Sequence, residues 1–247
     1  MQNCRYADLR KFFFSGYNRE LSTMFWGAKN LEWVDIPNLN TYNTTKMDKM
    51  FYDCSGLTTL DVSNWNTSQV TDMSDMFHGC RSLTSLDVSK WNTSKVKDMD
   101  NMFMVCSSLT YLDVSNFDVS QAIYMSSMFQ GCRSLTSLDV SKWDTSKFVY
   151  MKSIFAFCSA LTSLDLSNWN TSNVTNMSEL FRECGRLTSL DLSNWDLTNL
   201  TSMGSMFEAC NSLKTITAKN CNQTTIDKIK SALQSEGILD KVTIITS

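Results

Sequence analysis

The feature that most constrains this chain is a period of 26 residues that runs without insertion or deletion from near residue 24 to near residue 221. Phenylalanine recurs at 25, 51, 77, 103, 129, 155, 181 and 207, and cysteine at 54, 80, 106, 132, 158, 184 and 210. Thirteen of the 15 methionines fall in two phases, one through Met73 and Met99, the other through Met76 and Met102. Such a period belongs to solenoids, in which a repeat cannot bury its apolar side alone and stacked neighbours supply a continuous core. At 247 residues the length would allow one or two domains. The unbroken period argues for one elongated body.

Residues 54–79 serve as the reference coil, followed by coil two from residue 80, coil three from 106, coil four from 132, coil five from 158 and coil six from 184. Leu57, Leu60 and Val62, with threonine between, carry the spacing of a short strand with alternate side chains inward. Trp65, and Trp91, Phe117, Trp143, Trp169 and Trp195 at its phase, fill a corner. Val70, Met73, Met76, Phe77 and Cys80 then contain the i, i+3, i+4, i+7 stripe of a short helix, with Thr71 or Asp72 as N-cap and Gly79 or Gly131 near its end. The expected fold class is therefore an α/β repeat solenoid, with a strand and a short helix in each 26-residue coil and about seven coils. Strands stack about 4.8 Å apart and helices about 10 Å apart, so such a solenoid curves with its strands on the concave side.

Three parts are expected: an N-terminal cap over residues 1–27, the solenoid over 28–221 and a C-terminal cap over 222–247. Residues 7–14 show an apolar face at helical spacing, and Pro37 sits where a strand would end. Near the other end, Ile226, Ile229 and Leu233 fit one helical face, Gly237 stops it, and residues 242–245 read as a strand.

Charge and composition narrow the function. With 43% hydrophobic and 19% charged residues the chain is a folded protein, and a net charge of −3 lacks the basic footprint of a nucleic-acid binder. No apolar run reaches the length of a membrane span. The first residues lack the basic start, apolar stretch and cleavage site of a secretory signal, which leaves a virion-associated or cytoplasmic location open beside a surface one. Seven of the nine cysteines share one phase and point the same way, so they read as buried thiols, with Cys4 and Cys221 outside the row.

The unit LTSLDVSxWNTSxVxDMxxMFxxC, carried by about four-fifths of the chain, resembles the repeat of the BspA-like leucine-rich-repeat surface proteins of bacteria. The resemblance implies a leucine-rich-repeat horseshoe and a non-enzymatic role in adhesion or binding of a protein or glycoprotein at a cell surface. It carries over no catalytic residue, metal or cofactor. The alternative is a structural or assembly subunit of a virion or surface array that self-associates.

Catalysis has little support in the residues. The single histidine, His78, lies two positions from Cys80, and positions two apart on a helix do not face each other. Asp61, Asp87, Asp113, Asp139, Asp165 and Asp191 form a row, each followed two residues on by serine. The row reads either as cation sites with hard oxygen ligands or as framework carboxylates bonded to the next coil, and its recurrence in every coil favours the framework. Eight Asn-X-Ser/Thr triplets, Asn66, Asn92 and Asn170 among them, read better as turn residues than as glycan acceptors. Basic residues alternate by coil, Arg81, Lys90, Lys95 and Lys97 in one and Arg133, Lys142, Lys147 and Lys152 two coils later, as if a two-coil unit had duplicated.

The informative departures are apolar residues at polar phases. Ile123 with Tyr124, and Val149 with Tyr150, stand where coil one has Thr71 and Asp72. Met104, Val105, Ala156 and Phe157 are further apolar substitutions, and Tyr111 replaces Thr or Ser on the strand side. Tyr111, Ile123, Tyr124, Val149, Tyr150 and Phe157 are the expected partner-binding residues, since an exposed apolar patch marks an interaction site and tyrosine is enriched at hot spots.

Overall fold

Backbone hydrogen bonding between coils, more than within them, shapes this molecule. The computed structural model describes residues 5–9, 20–36 and 39–247, and it is a β-solenoid of parallel passes. On one side β1 (Tyr6–Asp8) pairs with β2 (Trp33–Asp35), and Trp33 bridges to Thr59. At the other end β3 (Ser163–Asp165), β4 (Ser189–Asp191), β5 (Thr215–Thr217) and β6 (Thr243–Ile245) form a parallel sheet in chain order. The register places Leu164 beside Leu190 and Leu190 beside Ile216, so the inward leucine phase is continuous. From Tyr6 to Thr243 the chain makes about nine turns, not seven, because both terminal segments add a pass of their own to the stack.

The short helix expected in each coil is absent. In coil one, the N–H groups of Met73, Asp75, Phe77 and Gly79 donate to the carbonyls of Asp98, Asp100, Met102 and Met104 in the next coil, at 2.7 to 2.9 Å. The intervening residues close turns within the coil: Met76 to Met73, His78 to Asp75 and Cys80 to Phe77, at 3.1 to 3.3 Å. Asp75 (φ 56°) and Gly79 (φ 75°) take the left-handed conformation at the third position of two of these turns, as a type II turn requires. Consecutive turns bring every third or fourth side chain inward, which is the stripe a helix would also produce. Thr71 and Asp72 accordingly cap no helix. With no helix layer, the two-width argument for strands on the concave side falls away, because the turn side steps by backbone bonds between coils and not by the width of a helix.

Three columns fill the interior. Eight phenylalanine rings from Phe25 to Phe207 stack nearly parallel, with centroids 5.0 to 6.1 Å apart. Beside them each cysteine of the row from Cys54 to Cys210 donates its S–H to the phenylalanine carbonyl 29 residues earlier, at 3.0 to 3.2 Å. At the corner the indole N–H of Trp91, Trp143, Trp169 and Trp195 reaches a carbonyl 29 residues back at 3.0 to 3.2 Å. Burial pushes the thiols up, to about 12 for Cys54, Cys132 and Cys210, which keeps them neutral donors.

At the C-terminal end α1 (Gln223–Ser235) covers the last coil. Asn222 caps it by accepting from the Thr225 N–H at 2.8 Å, and Ile226, Ile229 and Leu233 are buried. Lys228 pins it by donating to the carbonyls of Leu197 and Leu200 at 2.8 and 2.7 Å. At the N-terminal end, residues 7 and 8 of the expected apolar helix lie in the strand β1, while residues 10–14 and Pro37 lie outside the described residues.

Candidate interaction surface

The turn side carries a regular pattern against which the apolar departures stand out. Thr71 donates both its N–H and its hydroxyl to the Thr45 carbonyl, at 2.8 and 3.2 Å. Thr175 does the same to Val149, and Thr201 to Thr175. One residue on, the side-chain oxygen of Asp72, Asp98 or Asn176 accepts the N–H two residues further along, at 2.9 to 3.1 Å. Ile123, Tyr124, Val149 and Tyr150 can make neither side-chain bond.

These four side chains also coincide with a gap in the backbone ladder. Met99 donates to Tyr124 at 2.9 Å and Met151 donates to Asn176 at 2.8 Å, but among the described residues no backbone bond joins Met125 to Tyr150 or Val149 to Ile123. Asp98 bridges to Tyr124 and Tyr150 to Asn176, with no bridge between the two tyrosines. The ladder resumes at Ser127, which donates to Lys152 at 2.9 Å. Tyr124 and Tyr150 are half exposed and Ile123 is 44% exposed, with Val149 partly buried beside them. Bulky apolar side chains and unpaired backbone groups thus share one patch across coils three and four.

The other two expected residues lie elsewhere. Tyr111 is 63% exposed on the strand side, half a coil from Tyr124, between grooves of about 350 and 280 Å3. Phe157 lies seven residues past Tyr150, at the far end of the turn segment where coil one has Gly79, with its ring 5.8 Å from the Arg133 guanidinium and 5.5 Å from that of Arg182. Ala156 is fully buried. The arginines around Phe157 and the break in the ladder escaped the sequence reading. The first was traceable in the alternation of basic residues, whereas no residue type announces the second.

The aspartate row is satisfied within each coil, not by the next one. Asp61 accepts the Ser63 N–H at 3.0 Å and its hydroxyl at 2.7 Å, and Asp87, Asp113, Asp139 and Asp165 repeat the arrangement. The serine hydroxyl and then the serine N–H hold Asp61, Asp87 and Asp139 below the usual carboxylate range. Among the described residues no three acidic, histidine or cysteine side chains converge on a metal-sized position. Asn66, Asn92 and Asn170 make the same local turn, each accepting the N–H two residues on at 3.0 to 3.1 Å. On the turn side, burial drives Asp98 up to about 6, with repulsion from Asp100, Asp72 and Asp75 adding to it. His78 bonds Asp75 at 2.9 Å and packs on Tyr52.

A family model described as "Mycoplasma protein of unknown function, DUF285" matches residues 19–137 and again residues 105–220. No functionally curated protein matches the chain. Among solved structures, the chain matches one from an octameric complex of Latrophilin 3 (Lec, Olf), Unc5D (Ig, Ig2, TSP1) and FLRT2 (LRR). Identity is 18%, over 88% of this chain and 71% of that one, with a TM-score of 0.36, a likeness too weak to carry an argument. No helix among the described residues is long and apolar enough to cross a membrane.

Proposed function

This chain belongs to the DUF285 family, and on that premise we propose that it is a non-enzymatic binding module recognising a protein or glycoprotein through the turn side of coils three and four. The observation that carries the reading is the coincidence of Ile123, Tyr124, Val149 and Tyr150 with the one interrupted junction in the turn-side ladder between Lys46 and Ser202. An exposed aromatic pair supplies contact area at low entropic cost, and the partly exposed Val149 beside it has an N–H without a backbone partner among the described residues. The resemblance of the repeat unit to BspA-like leucine-rich-repeat surface proteins supports adhesion at a cell surface as the setting.

The test is capture of surface proteins from host-cell and bacterial extracts by the purified chain, beside a Tyr124→Ser/Tyr150→Ser variant of matched thermal stability. A saturable partner weakened at least tenfold in the variant supports the reading. A partner indifferent to both changes, or none, removes it. A second reading, end-to-end assembly of copies, is favoured by the last pass of the stack: β6 has a partner on one edge only among the described residues, and Ile245 is 38% exposed. Sedimentation over a hundredfold concentration range separates the two, since a binding module stays at one mass and an assembling subunit grows.

A further inference from the structure

In alternate coils one phase of the repeat sets a cation against the left-handed turn residue 24 positions later, nearly one full turn along the stack. In the first instance Lys29 faces Asp53 (φ 55°), and they form an ion pair at 3.0 Å. Two coils on, Arg81 takes the place of Lys29 and Val105 (φ 61°) that of Asp53. Two coils further, Arg133 stands opposite Phe157 (φ 61°). The cation is kept while its carboxylate is replaced by a bulky apolar side chain, in a backbone conformation that such residues rarely adopt. Arg81 has no ion pair among the described residues, and Arg133 has only the Phe157 ring. By contrast Arg182, 5.5 Å from that ring, is neutralised by Glu208 at 3.0 Å and Glu179 at 3.8 Å.

Arg81, Val105, Ser107, Gly131, Arg133 and Phe157 line one open groove of about 320 Å3. Gly131 (φ 77°) lies between the two apolar residues, and a Cβ there would stand 3.4 Å from Val105, so the floor is kept low where a ligand would cross. The phenylalanine rings beneath step by 5.7 and 5.9 Å, which separates the two arginines by two coil steps. An extended chain rises about 3.4 Å per residue and turns alternate side chains to one face. Carboxylates at i and i+4 with an aliphatic residue at i+2 therefore match the cation, apolar floor, cation order of the groove.

We propose that this groove is a docking site for an extended acidic peptide of the pattern Glu-x-Leu-x-Glu, whose carboxylates replace the one that the repeat provides at Asp53. The site is separate from the tyrosine patch and does not depend on it. A fluorescein-labelled Gly-Glu-Ser-Leu-Ser-Glu-Gly peptide, titrated against the full chain by fluorescence anisotropy, tests it. Saturable binding at low salt is the expected result, weakened at least tenfold by Arg81→Ser/Arg133→Ser, by replacing both glutamates of the probe with glutamine, and by replacing its leucine with serine. The Tyr124→Ser/Tyr150→Ser variant should bind the probe normally, which keeps this proposal separable from the preceding one. Because neither Arg81 nor Arg133 has an ion pair among the described residues, the double arginine variant should melt with the parent. No saturation up to 5 mM peptide, or binding that survives the arginine changes, overturns the proposal. So does heparin binding in an arginine-dependent way while the peptide fails, since the ligand would then be an anionic polysaccharide.

Discussion

Asp98 and Asn176 occupy the same phase and make the same local bond, accepting the N–H two residues on at 3.0 and 2.9 Å. Only Asp98 brings a charge, and it does so partly buried among Asp100, Asp72 and Asp75, which is why its pKa rises to about 6. A carboxyl that holds its proton more tightly when folded contributes stability below its unfolded pKa near 3.9, and loses it as pH rises through 6. Asp98→Asn keeps the turn and removes the penalty. It should raise stability at pH 7 by about 1 kcal/mol, once the shift is discounted for the site's partial exposure, and by much less at pH 4. Urea unfolding of parent and variant at the two pH values checks this, and an equal effect at both would remove the electrostatic explanation. The charge at Asp98 was legible in the sequence. Its burial was not, because the turn that folds it inward was read as the start of a helix.

At the scale of the element, the cysteine row shows how a repeat spends a side chain on holding coils together. Each thiol donates to a carbonyl of the preceding coil from a site where water is excluded, and burial raises its pKa, so little thiolate forms near neutrality. Iodoacetamide at pH 8 should leave the seven thiols of the row unmodified in the folded chain and alkylate them in denaturant, as intact-mass measurement would report. Modification of the row without unfolding would refute this packing. The tryptophan corner behaves alike but has a missing rung: coil three carries Phe117, which has no N–H to donate. Val119 likewise replaces Thr93 and Thr145, whose hydroxyls bond the next coil at 3.0 and 3.1 Å. The phases of these columns were legible because identical residues recur. Their partners were legible only in part, since a spacing says which side chains align and not which atom each one meets.

For the whole molecule, stability is close to a sum of coil terms and nearest-neighbour junctions, so the weakest junction sets where the stack opens first. Between coils three and four the turn-side ladder is open at Met125 and Val149. On the strand side, among the described residues, no backbone bond links residues 110–114 to 136–140 or 136–140 to 162–166, so the turn-side gap is what singles this junction out. Amide hydrogen exchange should therefore be at least tenfold faster at Met125 and Val149 than at their counterparts Met99 and Thr175. Equal protection at all four would mean that the junction is as tight as its neighbours. The apolar substitutions were legible in the sequence as a departure from the repeat, and the four central ones occupy matching positions of adjacent coils at the interrupted junction. Tyr111 and Phe157 fall on other parts of the coil because adjacency in a solenoid follows position around the coil as well as the 26-residue step.

By itself the sequence determined that this chain stacks, at what period, and which phases fill the core, because a repeated apolar spacing has no other way to leave water. Only the tertiary structure decided where the amide groups point. A stripe at i, i+3, i+4 and i+7 is produced by a helix and by successive turns alike, and the choice between them rests on whether each N–H finds its carbonyl in its own coil or in the next. Here the next coil supplies it, at 2.7 to 2.9 Å in coil one, because along the turn segment the neighbouring pass lies within hydrogen-bond reach.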